Sequence, residues 1–290
     1  MQQGWHQKNL LRSDFPFNLI FSENLQFSPH WHEEIEIIYC LEGEMQVGLN
    51  NEIYTIQPRD IFLIGGGEVH HFTSGYKESK CVIIQFGLSF FDSFSGIISD
   101  RRFIRPLLGY SKKLGKDEQA DIHDKMECQI LAIIDEYREK KEGYQMALKA
   151  RIYDLVVILL RQVPMEPYGA REKSRQIRRL KRLEKVFGYV EANYSQNITL
   201  DEIAKVANYS PYHFSRFFRE STGMTFWDYL NSFRIRRAEV LLLDEELTIT
   251  EIAYKAGFNS IKTFNRVFRK LKGCSPSEYK RRYYDNSSNI

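Results

Sequence analysis

A segment in the C-terminal part of this chain recurs with a period of about fifty residues. One copy runs from Thr199 to Gly223 and the other from Thr248 to Gly273, with Tyr229 and Tyr279 in matching places beyond them. Ile203/Ile252, Ala204/Ala253, Ala207/Ala256, Phe214/Phe264, Arg216/Arg266, Phe218/Phe268 and Arg219/Arg269 correspond, and the second turn carries one extra residue. Each copy opens on Thr with Glu three residues later, the pattern in which side chain and backbone cap a helix reciprocally. The alanines that follow leave room for a second helix to cross closely. The turns are Asn208-Tyr209-Ser210 and Gly257-Phe258-Asn259-Ser260, where Asn and Gly suit a left-handed helix end. Pro211 fits the first position of the next helix, because its missing N–H would be unpaired there anyway. The repeat therefore predicts two helix-turn-helix units.

In such a unit the second helix enters the major groove of DNA and reads with its N-terminal half. Phe214, Phe217 and Phe218 form the apolar face of the first copy, which leaves Tyr212, Ser215, Arg216 and Arg219 outward. In the second copy Phe264, Val267 and Phe268 pack, leaving Ile261, Lys262, Asn265, Arg266 and Arg269. Arg can bond guanine O6 and N7, Asn can bond adenine N6 and N7, and Ile261 can touch a thymine methyl. Charges on a solvated helix face are the alternative for any single Arg. They do not explain why capping, turn and basic face recur together.

Charge separates this region from the rest. Residues 1–163 hold 18 Lys and Arg against 23 Asp and Glu, whereas residues 164–290 hold 23 against 15. The net charge of +3 thus hides an acidic part and a basic part, the distribution expected when one part meets nucleic acid. The four cysteines, at 40, 81, 128 and 274, lack metal-finger or redox spacing, which fits reduced thiols in the cytoplasm. The start of the sequence is polar through Asn9, which predicts no secretory signal. The longest apolar run, Leu155 to Leu160, is far short of the ~20 residues of a membrane span, so no membrane partner is expected.

Residues 15–95 read as short strands, at Ile35–Leu41, Glu44–Leu49, Glu52–Ile56, Asp60–Ile64 and Lys80–Phe86. Asn50-Asn51 predicts a tight hairpin. Strands at this spacing suggest a barrel or sandwich. From 117 to 162 the period becomes helical, with Ile122, Met126, Ile130, Ile133, Ile134 and Tyr137 on one face. After Glu142-Gly143 a second amphipathic helix completes a hairpin. Pro164, Pro167 and Gly169 mark the expected linker.

His30, His32, Glu36 and His70 stand out among the strands. Residues 30, 32 and 36 share parity, so an extended strand puts them on one face. Three imidazoles and a carboxylate suit an octahedral or facial divalent metal site. His71 has the opposite parity and is expected at the surface. His123 and His213 join no cluster.

Residues 177–284 resemble the DNA-binding domain of AraC/XylS-type transcription regulators. The resemblance rests on Ile252-Ala253, Gly257-Phe258, Phe264, Phe268-Arg269-Lys270, Gly273, Pro276 and Tyr279 through Arg282. It departs at Phe226, which stands where the second lobe has Pro276. The His30–Glu36 motif is similar to the first metal motif of cupin barrels, while the second departs, with Gly65 in place of a proline and Ser74 in place of an asparagine. The resemblance implies a multi-domain fold: an N-terminal all-β cupin-like barrel with a helical hairpin, then a C-terminal all-α double helix-turn-helix. The expected boundaries are 1–115 for an effector-binding barrel, 116–162 for a dimerising and coupling hairpin, 163–176 for a linker and 177–284 for the DNA-binding domain. It implies seven helices in the last domain, a central one over Phe226–Leu243, and phosphate contacts from residues such as Arg219, Arg237 and Arg269. The function implied is a sequence-specific transcription regulator of double-stranded DNA, an activator and not an enzyme. Its effector would be a small molecule, with a sugar first, bound by His30, His32, Glu36 and His70. The same four residues are also candidate ligands of a divalent metal, and a metal-dependent cupin enzyme with a DNA-binding tail is the alternative function. A homodimer and contact with RNA polymerase belong to the same expectation.

Overall fold

A computed structural model describes residues 11, 15–74, 78–89, 91, 101–110 and 118–287. The chain divides into two compact units, Met1–Leu180 and Lys181–Ile290.

The first unit is built on two antiparallel sheets. Strands β1 (Phe17–Glu23), β2 (Phe27–His30), β3 (Ile35–Glu42), β4 (Met45–Leu49), β5 (Glu52–Ile56), β6 (Ile61–Ile64), β7 (His70–Ser74), β8 (Lys80–Phe86), β9 (Arg101–Phe103) and β10 (Leu107–Leu108) precede the helices. One sheet runs β1-β8-β3-β6-β10 and the other β2-β7-β4-β5. Alternation along the strands separates two cores. Ile38, Cys40, Phe62, Ile64, Cys81 and Ile83 face inward and meet Met45, Val47, Leu49, Ile56 and Phe72 of the second sheet. Ile35, Ile37, Tyr39, Ile61, Leu63, Val82 and Ile84 face the other way. They pack on α1 (Glu118–Glu139) and α2 (Tyr144–Gln162) through Met126, Ile130, Ile133, Leu148, Ile152, Leu155 and Leu159. Asn50 adopts φ 56° in the two-residue connection where Leu49 pairs with Glu52, the hairpin that Asn50-Asn51 predicts.

The segment expected as a linker is structured. Met165–Pro167 forms strand β11, antiparallel to β9, and α3 begins at Ala170 and runs to Asn193. Pro164 and Pro167 interrupt the helical pattern without releasing the chain, because both suit extended backbone. Residues 111–117, where the expected barrel and hairpin meet, lie outside the described residues.

The second unit holds the two repeats. Beyond α3 come α4 (Leu200–Val206), α5 (Pro211–Thr222), α6 (Phe226–Leu241), α7 (Ile249–Lys255), α8 (Ile261–Lys272) and α9 (Pro276–Ser287). Both predicted capping boxes form, at Thr199 with Glu202 and at Thr248 with Glu251. Gly223 and Gly273 end α5 and α8 in the left-handed region. The first lobe packs Phe187 of α3 against Phe218 and Tyr229, with Phe218 also on Phe226. The second packs Phe264, Val267 and Phe268 on Ile235, Ala238, Ile252, Ala253 and Ala256.

Candidate functional site

Two constellations carry chemistry, one in each unit. In the second unit, α5 buries Phe214 and Phe218, with Phe217 half-buried on Tyr209, α8 buries Phe264 and Phe268, and both present polar faces. Tyr212, Ser215, Arg216 and Arg219 are exposed on α5, as are Lys262, Asn265, Arg266 and Arg269 on α8. Ile261 is half-buried against the second-lobe core, so only part of its side chain is free. The two faces differ in readiness. Arg216 donates Nε–H to Glu220 Oε1 at 2.7 Å, and Ser215 Oγ donates to Pro211 O at 3.0 Å. Arg237, read as a phosphate contact, is half-buried, lies over Tyr194 and Phe233 and reaches Glu191 at 3.8 Å, so it serves packing. Lys280 donates to the carbonyls of Asp244 and Leu247, which closes the turn after α6.

The two lobes are joined by one buried arginine. Arg234 of α6 donates Nε–H to Tyr194 O and Nη2–H to Gln196 O, both at 2.8 Å. Gly257, in the second turn, packs on the same backbone: a Cβ there would lie 2.2 Å from Tyr194 O.

In the first unit, His30, His32, Glu36 and His70 come together, each at most 3% exposed. His30 and His70 pair across β2 and β7. The ring centroids of His30 and His70 are 4.1 Å apart and those of His32 and His70 are 5.0 Å apart. Each Nδ1 faces a backbone carbonyl: Ser28 O at 3.0 Å, Glu34 O at 3.1 Å and Glu68 O at 2.8 Å. A carbonyl only accepts, so Nδ1 carries a proton in each ring, and in a neutral ring Nε2 keeps a free lone pair. Glu36 Oε2 lies 3.0 Å from His32 Nε2 and accepts from Gln85 Nε2 at 2.6 Å, while Asn18 Nδ2 donates to Gln85 Oε1 at 3.1 Å. A polar line therefore crosses β1, β8 and β3 into the cluster.

Electrostatics set the protonation. Burial works against the Glu36 carboxylate, but the His32 hydrogen bond, the neighbouring imidazoles and the Gln85 amide hold it below the usual range. Burial also opposes charge on His32, and Glu36 outweighs it, so His32 titrates above its ordinary value. His70 is pushed well below by burial and by His30 beside it. Glu36 and His32 thus favour each other's charged forms, while His70 beside them disfavours a charge. His70 Nε2 and Glu36 Oε1 are buried without a hydrogen-bond partner and face each other at 3.9 Å. Three histidine nitrogens within 4.8 Å of one another, a carboxylate and two orphaned buried atoms fit a divalent cation.

The AraC-like ligand binding domain pattern matches residues 22–156, and a helix-turn-helix domain pattern matches residues 203–282. The HTH-type transcriptional regulator YdeC of Bacillus subtilis is 23% identical over 262 residues, covering 87% of this chain and 85% of YdeC. The transposon Tn10 TetD protein of Escherichia coli is 35% identical over 99 residues, covering 34% of this chain and 72% of TetD. This chain belongs to the AraC-type transcription regulators. ToxT from Vibrio cholerae O395 is 17% identical to this AraC-type chain, with a TM-score of 0.44 over 91% of this chain and 97% of that one.

Within the first unit of this AraC-type chain, the loop between β6 and β7 makes ties to the start of α3 that the sequence did not announce. Gly67 N–H donates to His32 O at 2.7 Å, and Glu68 O accepts from His70 Nδ1. The Glu68 side chain accepts from Gly65 N–H at 2.8 Å and from Asn50 Nδ2 at 3.3 Å. From α3, Gln176 Nε2 donates to Gly67 O at 3.0 Å and Arg179 Nη2 donates to Asn50 Oδ1 at 3.2 Å. Arg102 adds ion pairs to Glu166 and Glu172.

Two histidine readings change. His71 is buried, 5% exposed, with its ring filling the space over Gly48, and burial lowers its pKa to about 4. His123 is also buried; it bonds Arg59 O at 2.8 Å, beside a Glu127 carboxylate that takes Arg59 and Tyr39. The only early signal for this second group is the helical step from His123 to Glu127. Among the described residues no helix is long and apolar enough to cross a membrane.

Proposed function

We propose that this AraC-type regulator is an effector-controlled activator, in which occupancy of the barrel changes how the two helix-turn-helix lobes hold DNA. A sugar is the first effector to test, and the cytoplasm the expected compartment. The carrying observation is the chain of hydrogen bonds from the His–Glu cluster through the β6–β7 loop to α3. An effector shifts an equilibrium only through contacts that differ between two states, and this loop touches both the cluster and the helix. Tyr212, Ser215, Arg216 and Arg219 of α5 and Ile261, Lys262, Asn265, Arg266 and Arg269 of α8 would meet DNA. A homodimer through the α1–α2 hairpin is supported by exposed Leu131, Met146, Tyr153 and Val157, and RNA polymerase is the further partner of an activator. The test is a thermal-shift screen of sugars on the full chain. A ligand at 100 times its Kd adds ~2.7 kcal/mol, and the same sugar must change affinity for duplex DNA. Absence of any shift counts against a sugar.

The size of the cluster favours a second reading of the same residues. Nitrogens within 4.8 Å suit one ion better than a sugar ring. His30, His32, His70 and Glu36 would hold the cation, which would supply a Lewis-acid centre for a polar effector group. Metal analysis of the purified chain beside His32→Ala separates the readings. Stoichiometric metal lost in the variant supports the cation, and turnover with it would favour the cupin enzyme.

A further inference from the structure

Gln85 interrupts an apolar pattern. It lies on β8 at the inward parity of Cys81 and Ile83 and is 4% exposed. The strand register sets it opposite Asn18 of β1 and Glu36 of β3. The next inward row is Ile20, Ile83 and Ile38, which carries no polar side chain. Packing alone would be served by another aliphatic row, since a buried amide costs free energy unless it is hydrogen-bonded. The polar row ends at Glu36, whose other neighbour across the sheet is Ile64 of β6.

The row is directional. Asn18 Nδ2 donates to Gln85 Oε1 at 3.1 Å, so the other end of the Gln85 amide meets Glu36, where Nε2 donates to Oε2 at 2.6 Å. Turned over, Gln85 would set its oxygen against the carboxylate and its NH2 against that of Asn18, with no hydrogen bond on either side. Asn18 thus fixes which end of Gln85 reaches Glu36. His32 Nε2 contacts the same Oε2 at 3.0 Å. Both contacts fall on one carboxylate oxygen. The other, Oε1, is buried without a hydrogen-bond partner and faces His70 Nε2 at 3.9 Å.

We propose that Asn18 and Gln85 are positioning residues: they hold Glu36 so that Oε1 is presented to a divalent cation bound by His30, His32 and His70. This rests on the cation reading of the cluster. It adds two residues on strands that carry none of the four ligands, and partners behind a ligand set metal affinity as the ligands do.

The test titrates the purified, metal-free full chain with Co²⁺, reading affinity and the visible band that reports ligand number and geometry. The wild-type chain should bind Co²⁺ stoichiometrically. Gln85→Met fills the same space without the amide. It should weaken binding about 10- to 100-fold and change the band as Glu36→Gln does. In the Glu36→Gln background the same substitution should cost less than about twofold, because Gln85 acts through Glu36. Ile83→Met, on the neighbouring row, should leave affinity and band at wild-type values. Asn18→Leu, at a half-buried position of β1, disturbs the core less and should change the band in the same way. Wild-type affinity and band in Gln85→Met, or in Asn18→Leu where Gln85→Met does not fold, overturn the inference. So does an equal loss in Ile83→Met, or an undiminished loss in the Glu36→Gln background. A wild-type chain that binds no Co²⁺ overturns the cation reading as well.

Discussion

Gly257→Ala should separate the two lobes, and the cost can be worked from the contacts. Gly257 has φ +90° and Gly273 has φ +71°, so alanine pays the left-handed penalty at both, ~1–2 kcal/mol. A Cβ on Gly273 meets nothing within 4 Å. A Cβ on Gly257 lies 2.2 Å from Tyr194 O and 2.9 Å from Arg234 Nε and Ser195 Cα, so backbone must move. That movement opens the two bonds from Arg234, each worth ~1.5–3 kcal/mol because the donor is charged. Gly257→Ala should thus cost ~3–6 kcal/mol beyond Gly273→Ala, about two to four decades in the opening equilibrium. Hydrogen exchange on the full chain reads this directly. Residues 194–198 and 257–260 should lose protection together while the interiors of α5 and α8 keep theirs. Duplex affinity should fall with them, because the lobes no longer hold a fixed spacing. Gly257→Asn sharpens the test: Asn208 occupies the matching turn position at φ 57°, so asparagine relieves most backbone strain and leaves the clash. Equal protection in Gly257→Ala and Gly273→Ala, or wild-type behaviour of Gly257→Asn, would refute the argument.

Other outcomes follow from single contacts. Arg266→Ala should relax specificity at one base position by ~1–3 kcal/mol, measured on a set of single-base variants of a selected site; a uniform loss over all sequences makes Arg266 a phosphate contact. Glu220→Gln should tighten duplex binding, since it releases the exposed Arg216, and unchanged affinity means Arg216 does not approach DNA. Phe218→Ala should destabilise the second unit by ~3–5 kcal/mol in urea unfolding, because its ring packs on Phe187, Phe226 and Tyr229. Glu68→Gln should raise exchange across residues 170–180 about tenfold, by weakening one charge-assisted bond of ~1.5–3 kcal/mol, and unaltered exchange there would disconnect the loop from α3.

What the sequence revealed were features encoded within a few residues. Thr199 with Glu202, Thr248 with Glu251, Pro211, and the glycines after α5 and α8 each specify a helix end locally, and all are found at those ends. His30, His32 and Glu36 do meet, but not by parity along one strand: His30 ends β2, His32 lies in the connection and Glu36 is on β3 of the other sheet. What escaped depends on distant partners. Met165–Pro167 is a strand only because Arg101–Phe103 offers an edge some sixty residues earlier, and its prolines read as a break. The start of α3 escaped because its first two turns are charged and the buried positions begin at Leu183. His71 was misplaced because parity tells which face a side chain takes, and not whether that face is covered. Gly48 leaves a gap on the neighbouring strand, and the imidazole fills it.

The β6–β7 loop explains why glycines stand where the cupin motif has proline. Gly66 lies so close to Glu33 that a Cβ would come within 2.5 Å of the Glu33 carbonyl oxygen, and Gly67 has φ +76°. The chain must pass tightly over the His32 strand and then turn back, so that Gly67 N–H reaches His32 O while its own carbonyl faces Gln176. Gly65 has a different demand: its N–H must reach the Glu68 carboxylate, and proline has no N–H to give. The departure from the motif is therefore a requirement of this loop. A backbone that bonds the cluster on one side and α3 on the other cannot accommodate a displaced His32 or His70 without changing what Gln176 meets. The proposed effect of an effector on α3 rests on this loop, whereas the α1–α2 hairpin packs on the opposite face of the sheet.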